Sequence, residues 1–161
     1  MKKAILLLLT IISITSCEDL FLTHSEYQDK EFTKRARNHE LYDTSDYDFD
    51  SLAEIGGWIS QNIKYKSDEG ADDWANPEDT INRGYGDCED RTILFMNMAY
   101  FAFGIEPTLA GVYHSRHVAA GGDVNHAVVM IDGELYEPAW FWHVDYEVKY
   151  YYTFWEVFKG E

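Results

Sequence analysis

From residue 52 onward, apolar side chains recur at helical spacing: Leu52, Ile55, Ile59 and Ile63, with Trp58 flanking them. They predict an amphipathic helix over about 49–64, even though Gly56-Gly57 lies inside it. Residues 66–76 read as a loop, and Pro77 suits the first position of a short helix capped by Asn76. A third helix is predicted from an Asp87 cap to Phe103, with Gly104 as its stop. Ile93, Leu94, Phe95, Met96, Met98, Ala99, Phe101, Ala102 and Phe103 surround nearly its whole circumference. A helix apolar on all sides is a buried one. After Pro107 the period shortens to that of strands, over 108–113, 124–131 and 134–138. Asp132-Gly133 between the last two is a strong two-residue hairpin turn. The aromatic stretch 144–158 is read as a final strand and a short helix.

The first residues belong to a different pattern. Lys2 and Lys3 precede a ten-residue, largely apolar run from Ile5 to Ile14. A membrane span needs about 20 such residues, so the run reads as a signal peptide over 1–16. It ends in Ile14-Thr15-Ser16-Cys17, which resembles the lipobox of bacterial lipoproteins. That resemblance implies cleavage before Cys17, lipid on its sulfur and amine, and stable anchoring by more than one acyl chain. An ordinary secretory signal is the alternative. The expected location is the bacterial cell envelope, with the domain outside the cytoplasm. Residues 17–47, polar and mixed in charge, are read as an acidic tether with a short helix near 30–41. The domain is assigned to 48–161.

Removing 16 of the 161 residues leaves 145, one domain's worth. Loss of Lys2 and Lys3 takes the formal net charge from −16 to −18. Such acidity disfavours nucleic acid and anionic lipid surfaces as partners. A monomer is expected. Lipidation of Cys17 would leave Cys88, the second of two cysteines, without a disulfide partner. A bridge between the two is the competing account.

Cys88 lies in Gly84-Tyr85-Gly86-Asp87-Cys88-Glu89-Asp90, where a glycine turn becomes the buried helix. A helix start presents unpaired N–H groups and partial positive charge, which favour thiolate. Glu89 and Asp90 oppose that by like-charge repulsion, so activation needs a further group. The hairpin supplies one. With Asp132-Gly133 as the turn, Ile131 faces Glu134, His126 faces Ala139 and Glu137 faces Val128. His126 and Glu137 then share a sheet face as diagonal neighbours, about 7–8 Å apart at the backbone. A cysteine at a helix start, a histidine on a strand and a carboxylate beside it form an activated nucleophile, with a thiolate–imidazolium pair expected. The inert reading of Cys88 is a small core residue.

Trp74, Pro77, Asp79-Thr80, the glycine–aspartate–cysteine core, His126-Ala127 and Glu137-Pro138 together resemble the transglutaminase-like cysteine-hydrolase superfamily, its small bacterial members in particular. The resemblance spans roughly 52–142. It implies an α+β, papain/transglutaminase-like core in which a central buried helix bearing the cysteine packs against an antiparallel sheet. It also implies Cys88 as nucleophile, His126 as general base and acid, and Glu137 where the family usually has aspartate. The backbone N–H of Cys88 is the natural oxyanion donor, with Trp74 or Asn82 as second choices. The implied activity is hydrolysis of peptide or amide bonds through a thioester, without a cofactor or metal. Amine transfer, or a binding-only lipoprotein of the same fold, are the alternatives. His114-x-x-His117 with His126 lacks the ligands to complete a zinc tetrahedron. Gly121-Gly122 is read as a mobile loop beside the site, and Trp140 to Trp142 as core or pocket wall.

Overall fold

A computed structural model describes residues 34–68, 73–114 and 126–160. The expected signal peptide, Cys17, His117 and Gly121-Gly122 lie outside the described residues. Helix α1 (Leu52–Asn62) begins at Ser51, whose hydroxyl accepts the Glu54 N–H. Helix α2 (Pro77–Arg83) starts at its proline as the pattern predicts. Asn76 caps it through its carbonyl, which accepts the Thr80 N–H at 3.0 Å. Its side chain instead accepts the Glu40 N–H at 2.9 Å.

Helix α3 (Cys88–Phe103) is the predicted buried helix and stops at Gly104, where φ of +67° suits glycine. Its residues Ile93 to Ala99 are buried, and it emerges at Phe103. One core residue of α3 was not read from the pattern. Asn97 is fully buried, and its amide accepts the Tyr42 N–H and donates to the Tyr42 carbonyl. A buried amide satisfied in both directions fixes a backbone segment in register. Ala36, His39 and Thr44 are buried as well, and the His39 N–H donates to the Val157 carbonyl at 2.9 Å. Residues 34–47, assigned to the tether from their polarity, are therefore part of the packed domain.

Five antiparallel strands form one sheet: β3 (Thr108–Val112), β4 (His126–Ile131), β5 (Glu134–Tyr136), β6 (His143–Val144) and β7 (Val148–Tyr152), in the spatial order β6-β5-β4-β3-β7. A separate parallel pair, β1 (Lys64–Tyr65) and β2 (Tyr85–Gly86), ties the end of α1 to the approach to α3. The sheet buries both faces. Leu109, Val129 and Tyr152 join α1 and α3 in the main core. Ala110, Val112, Val128 and Leu135 form a second cluster on the opposite face. Helix α4 (Phe154–Lys159), started by a Thr153–Glu156 capping box, closes the main core with Phe154, Val157 and Phe158. This is the α+β architecture expected, a cysteine-bearing buried helix on an antiparallel sheet. Among the described residues no helix is long and apolar enough to cross a membrane.

Glycine within α1 has a structural reason. A Cβ on Gly56 would lie 2.7 Å from the Phe141 nitrogen, and the Gly56 carbonyl accepts the Trp140 N–H at 3.0 Å. The turn after β5 thus sits directly on the helix backbone. That turn carries φ of +84° at Trp140 and +50° at Phe141, a region non-glycine residues rarely adopt. Phe141 stacks on Tyr136 and Phe95, with ring centroids 4.4 and 5.3 Å away. Trp140 and Trp142 instead stack on each other and are 57% and 56% exposed, so of the stretch read as core or pocket wall Phe141 alone packs against the core.

Candidate active site

Asp90 builds the head of α3. It is fully buried; its Oδ1 accepts the Ala75 N–H at 2.8 Å, and its Oδ2 pairs with Arg83 and accepts the Asp87 N–H at 3.3 Å. Burial pushes its pKa up to about 6 against these hydrogen bonds and the Arg83 charge. Gly86 lets this carboxylate in, since a Cβ there would lie 2.6 Å from the Asp90 Cβ. The result is a rigid start to the helix, with Cys88 as its first residue.

The hairpin has the register read from sequence: Ile131 opposite Glu134, Met130 opposite Leu135, Val129 opposite Tyr136. Glu137, one residue past β5, reaches back to His126, whose Nε2 lies 2.9 Å from Oε1 and 3.1 Å from Oε2. The Tyr146 hydroxyl donates to Oε1 at 3.3 Å. Burial alone would raise the pKa of Glu137. The hydrogen bond and charge of His126, with help from Tyr146 and His114, outweigh it and hold the carboxyl below its ordinary value.

His126 and Glu137 lie on the face of Val128 and Leu135, whereas α3 packs on the other. They meet Cys88 because the head of α3 abuts the start of β4, where the Ala127 N–H is directed at the sulfur. A cavity of about 160 Å³ opens there, lined by Tyr65, Cys88, Arg91, His126, Glu137, Pro138 and Ala139. The structure therefore brings together the three residues singled out as nucleophile, base and carboxylate.

One expectation is corrected. The Cys88 thiol donates to Glu89 Oε2 at 3.1 Å rather than resting as an ion pair with imidazole. Burial, the Glu89 charge and that hydrogen bond push its pKa well above the ordinary thiol value, and the Ala127 N–H offsets this only in part. These effects favour the thiol over the thiolate. The partial charge at the helix start is outweighed by desolvation and a carboxylate within hydrogen-bond reach.

The two side-chain oxyanion candidates do not line the cavity. Asn82 is exposed on α2, and Trp74 is half-buried and packs against the main core. Cys88 is the first residue of its helix, a position whose N–H has no partner within the helix. Three residues near the site, Arg91, Tyr65 and Tyr146, escaped the sequence reading, and His114 entered it only as a metal-ligand candidate. Arg91, one turn beyond Cys88, and Tyr65 line the cavity. Tyr146 holds Glu137, and the His114 ring centroid lies 5.6 Å from that of His126. Arg91 was legible from its i+3 spacing to the cysteine. Tyr146 was not, because its place depends on the path between β6 and β7. Among the described residues, oxygens of Asp68, Asp87 and Glu89 lie within 4.8 Å of one another, the one carboxylate group spaced to hold a cation.

The pattern of the transglutaminase-like superfamily matches residues 35–155, and the chain belongs to that superfamily. Among solved structures it is similar to the crystal structure of a candidate cysteine protease from Cytophaga hutchinsonii, at 16% identity and a TM-score of 0.44. The alignment covers 89% of this chain and 57% of that one, so this chain spans less than two thirds of that protein. A comparison with curated proteins finds no match.

Proposed function

We propose that the protein is a cysteine hydrolase of peptide or amide bonds that works through Cys88, His126 and Glu137. The observation that carries this reading is the His126–Glu137 contact beside a cavity that Cys88 also lines. Glu137 takes Nε2–H, so the basic lone pair is on Nδ1. His126 removes the thiol proton, and the thiolate attacks the substrate carbonyl carbon. The Cys88 N–H stabilises the resulting oxyanion. Collapse breaks the C–N bond, His126 gives its proton to the departing amine, and a thioester remains. Water, deprotonated by the same imidazole, then releases the acid and restores the thiol.

In this reading Cys17 carries the lipid that anchors the protein in a bacterial envelope, where a monomer meets peptide or protein substrates. The lipobox-like 14–17 supports it. A binding-only domain of the same fold is favoured by one observation, the thiol proton held by Glu89. Incubating the purified protein with a peptide and isopeptide library separates the two. Cleavage that is lost in Cys88→Ala, at unchanged thermal stability, supports the hydrolase. Absence of both turnover and a thioester adduct with peptide esters would reject it. Products bearing an added amine would assign transfer instead.

A further inference from the structure

We propose that Arg91 is a carboxylate-recognising residue at the reaction centre, making the preferred substrate one with a carboxylate next to the bond attacked at Cys88. The inference rests on the reading of Cys88 as nucleophile. Arg91 lies three residues beyond Cys88 on the same helix, so the two side chains leave α3 on one face. Both line the cavity with His126 and Glu137.

The guanidinium is held in place without a direct ion pair among the described residues, although it feels the charges of Asp87 and Glu137. One Nη2 hydrogen bond, 2.5 Å to the Ile63 carbonyl, fixes it from behind, and the Tyr65 ring lies 5.2 Å from its central carbon. Among the described residues it forms no ion pair, whereas Arg37, Arg83, His126, His143 and Lys149 all do. Among the described residues its Nε has no hydrogen-bond acceptor. Glu137, the carboxylate that lines the cavity, already holds His126 and the Tyr146 hydroxyl. In a chain of net charge −16, a pre-positioned cation beside the nucleophile is what admits an anionic group to an otherwise repelling site.

Iodoacetate and iodoacetamide test this without turnover. Each forms a thioether at the same sulfur with loss of iodide, and they differ by a carboxylate against an amide. Both consume the same thiolate, so any change in thiol pKa cancels in their rate ratio. Rates are read at the Cys88 peptide by mass spectrometry, which excludes Cys17. The expected result is an iodoacetate-to-iodoacetamide ratio that falls about 10- to 100-fold in Arg91→Gln. A ratio within about twofold of wild type would overturn the proposal.

A second measurement uses the unaltered protein. Protection of Cys88 from iodoacetamide is compared for two pairs of acetylated tripeptides. One pair is amidated and carries glutamate or glutamine at its centre; the other is trialanine ending in acid or amide. Protection by the glutamate peptide alone assigns an acidic side chain, and by the free acid alone a chain terminus. Equal behaviour within both pairs would refute carboxylate recognition. Failure of peptide hydrolysis would leave these results untouched, so the two proposals fall separately.

Discussion

The imidazole of His126 and the carboxylate of Glu137 meet across the β4–β5 hairpin, with both carboxylate oxygens within 3.1 Å of one ring nitrogen. The extra methylene of glutamate over aspartate spans the diagonal gap of the register and faces both oxygens toward Nε2. Glu137→Gln is expected to lower kcat/KM by about 10²- to 10⁴-fold, because an amide no longer enforces the tautomer with its lone pair on Nδ1. Peptide cleavage by wild type and variant at matched folding checks it; equal rates would remove Glu137 from the mechanism. The acidic limit follows from the same contact. With its pKa held below the ordinary value of 4.5, Glu137 contributes stability that is intact above that pH and lost only as pH falls through the lower folded value.

Glu89 sets the resting state of the nucleophile. Its carboxylate accepts the Cys88 thiol proton and raises the thiol pKa together with burial. The alkylation profile of Cys88 is therefore expected to rise at higher pH than for a free thiol, and Glu89→Gln to move its midpoint down. Stopped-flow labelling with iodoacetamide from pH 6 to 10.5 reads both. A wild-type midpoint below that of a free thiol would contradict the Cys88–Glu89 contact.

Much of this arrangement was legible because it is local. The Asp132-Gly133 turn fixes the hairpin register, and the register alone pairs His126 with Glu137. The start of α3 was marked by Asp87 and Asp90, its end by Gly104. Long-range choices were not legible. Asn97 reads as one polar residue in an apolar helix, and only the packed 34–47 segment explains it. Glu89 faces the sulfur rather than solvent, a matter of one side-chain direction that spacing does not encode. The Trp74 and Asn82 assignments failed for the same reason, since residues near Cys88 in sequence need not face it.

Two adjacent glycines in α1 make opposite predictions. Gly56 touches the backbone of Phe141, which cannot yield as a flexible side chain would. Gly56→Ala is expected to cost about 1–3 kcal/mol and to displace the turn that follows Glu137. Gly57 has nothing nearer than 4.0 Å to an added Cβ, the Gln61 amide. Gly57→Ala is expected to stabilise by about 0.5–1 kcal/mol through helix propensity. Urea denaturation of both variants decides, and a tolerated Gly56→Ala would argue against the close approach of turn and helix.

Asp90 couples the head of α3 to pH. Its folded pKa of about 6 exceeds its ordinary value of 3.8, so between those values the folded state binds more protons than the unfolded chain. The sign is fixed by linkage: stability from this group is fully present below pH 3.8 and is lost as pH rises through about 6. The whole swing is about 3 kcal/mol. Other titrating groups obscure it in wild type alone, but Asp90→Asn shares them all, so the difference between the two proteins isolates Asp90. Lowering the pH from 7.5 to 5 is expected to stabilise wild type relative to Asp90→Asn, measured as the change in unfolding free energy in urea. A relative loss on acidification would mean that the Arg83 pair, not burial, governs Asp90. The carboxylate two residues from Cys88 would then be an ion-pair anchor with a depressed pKa, and the helix head would tighten rather than relax as pH rises.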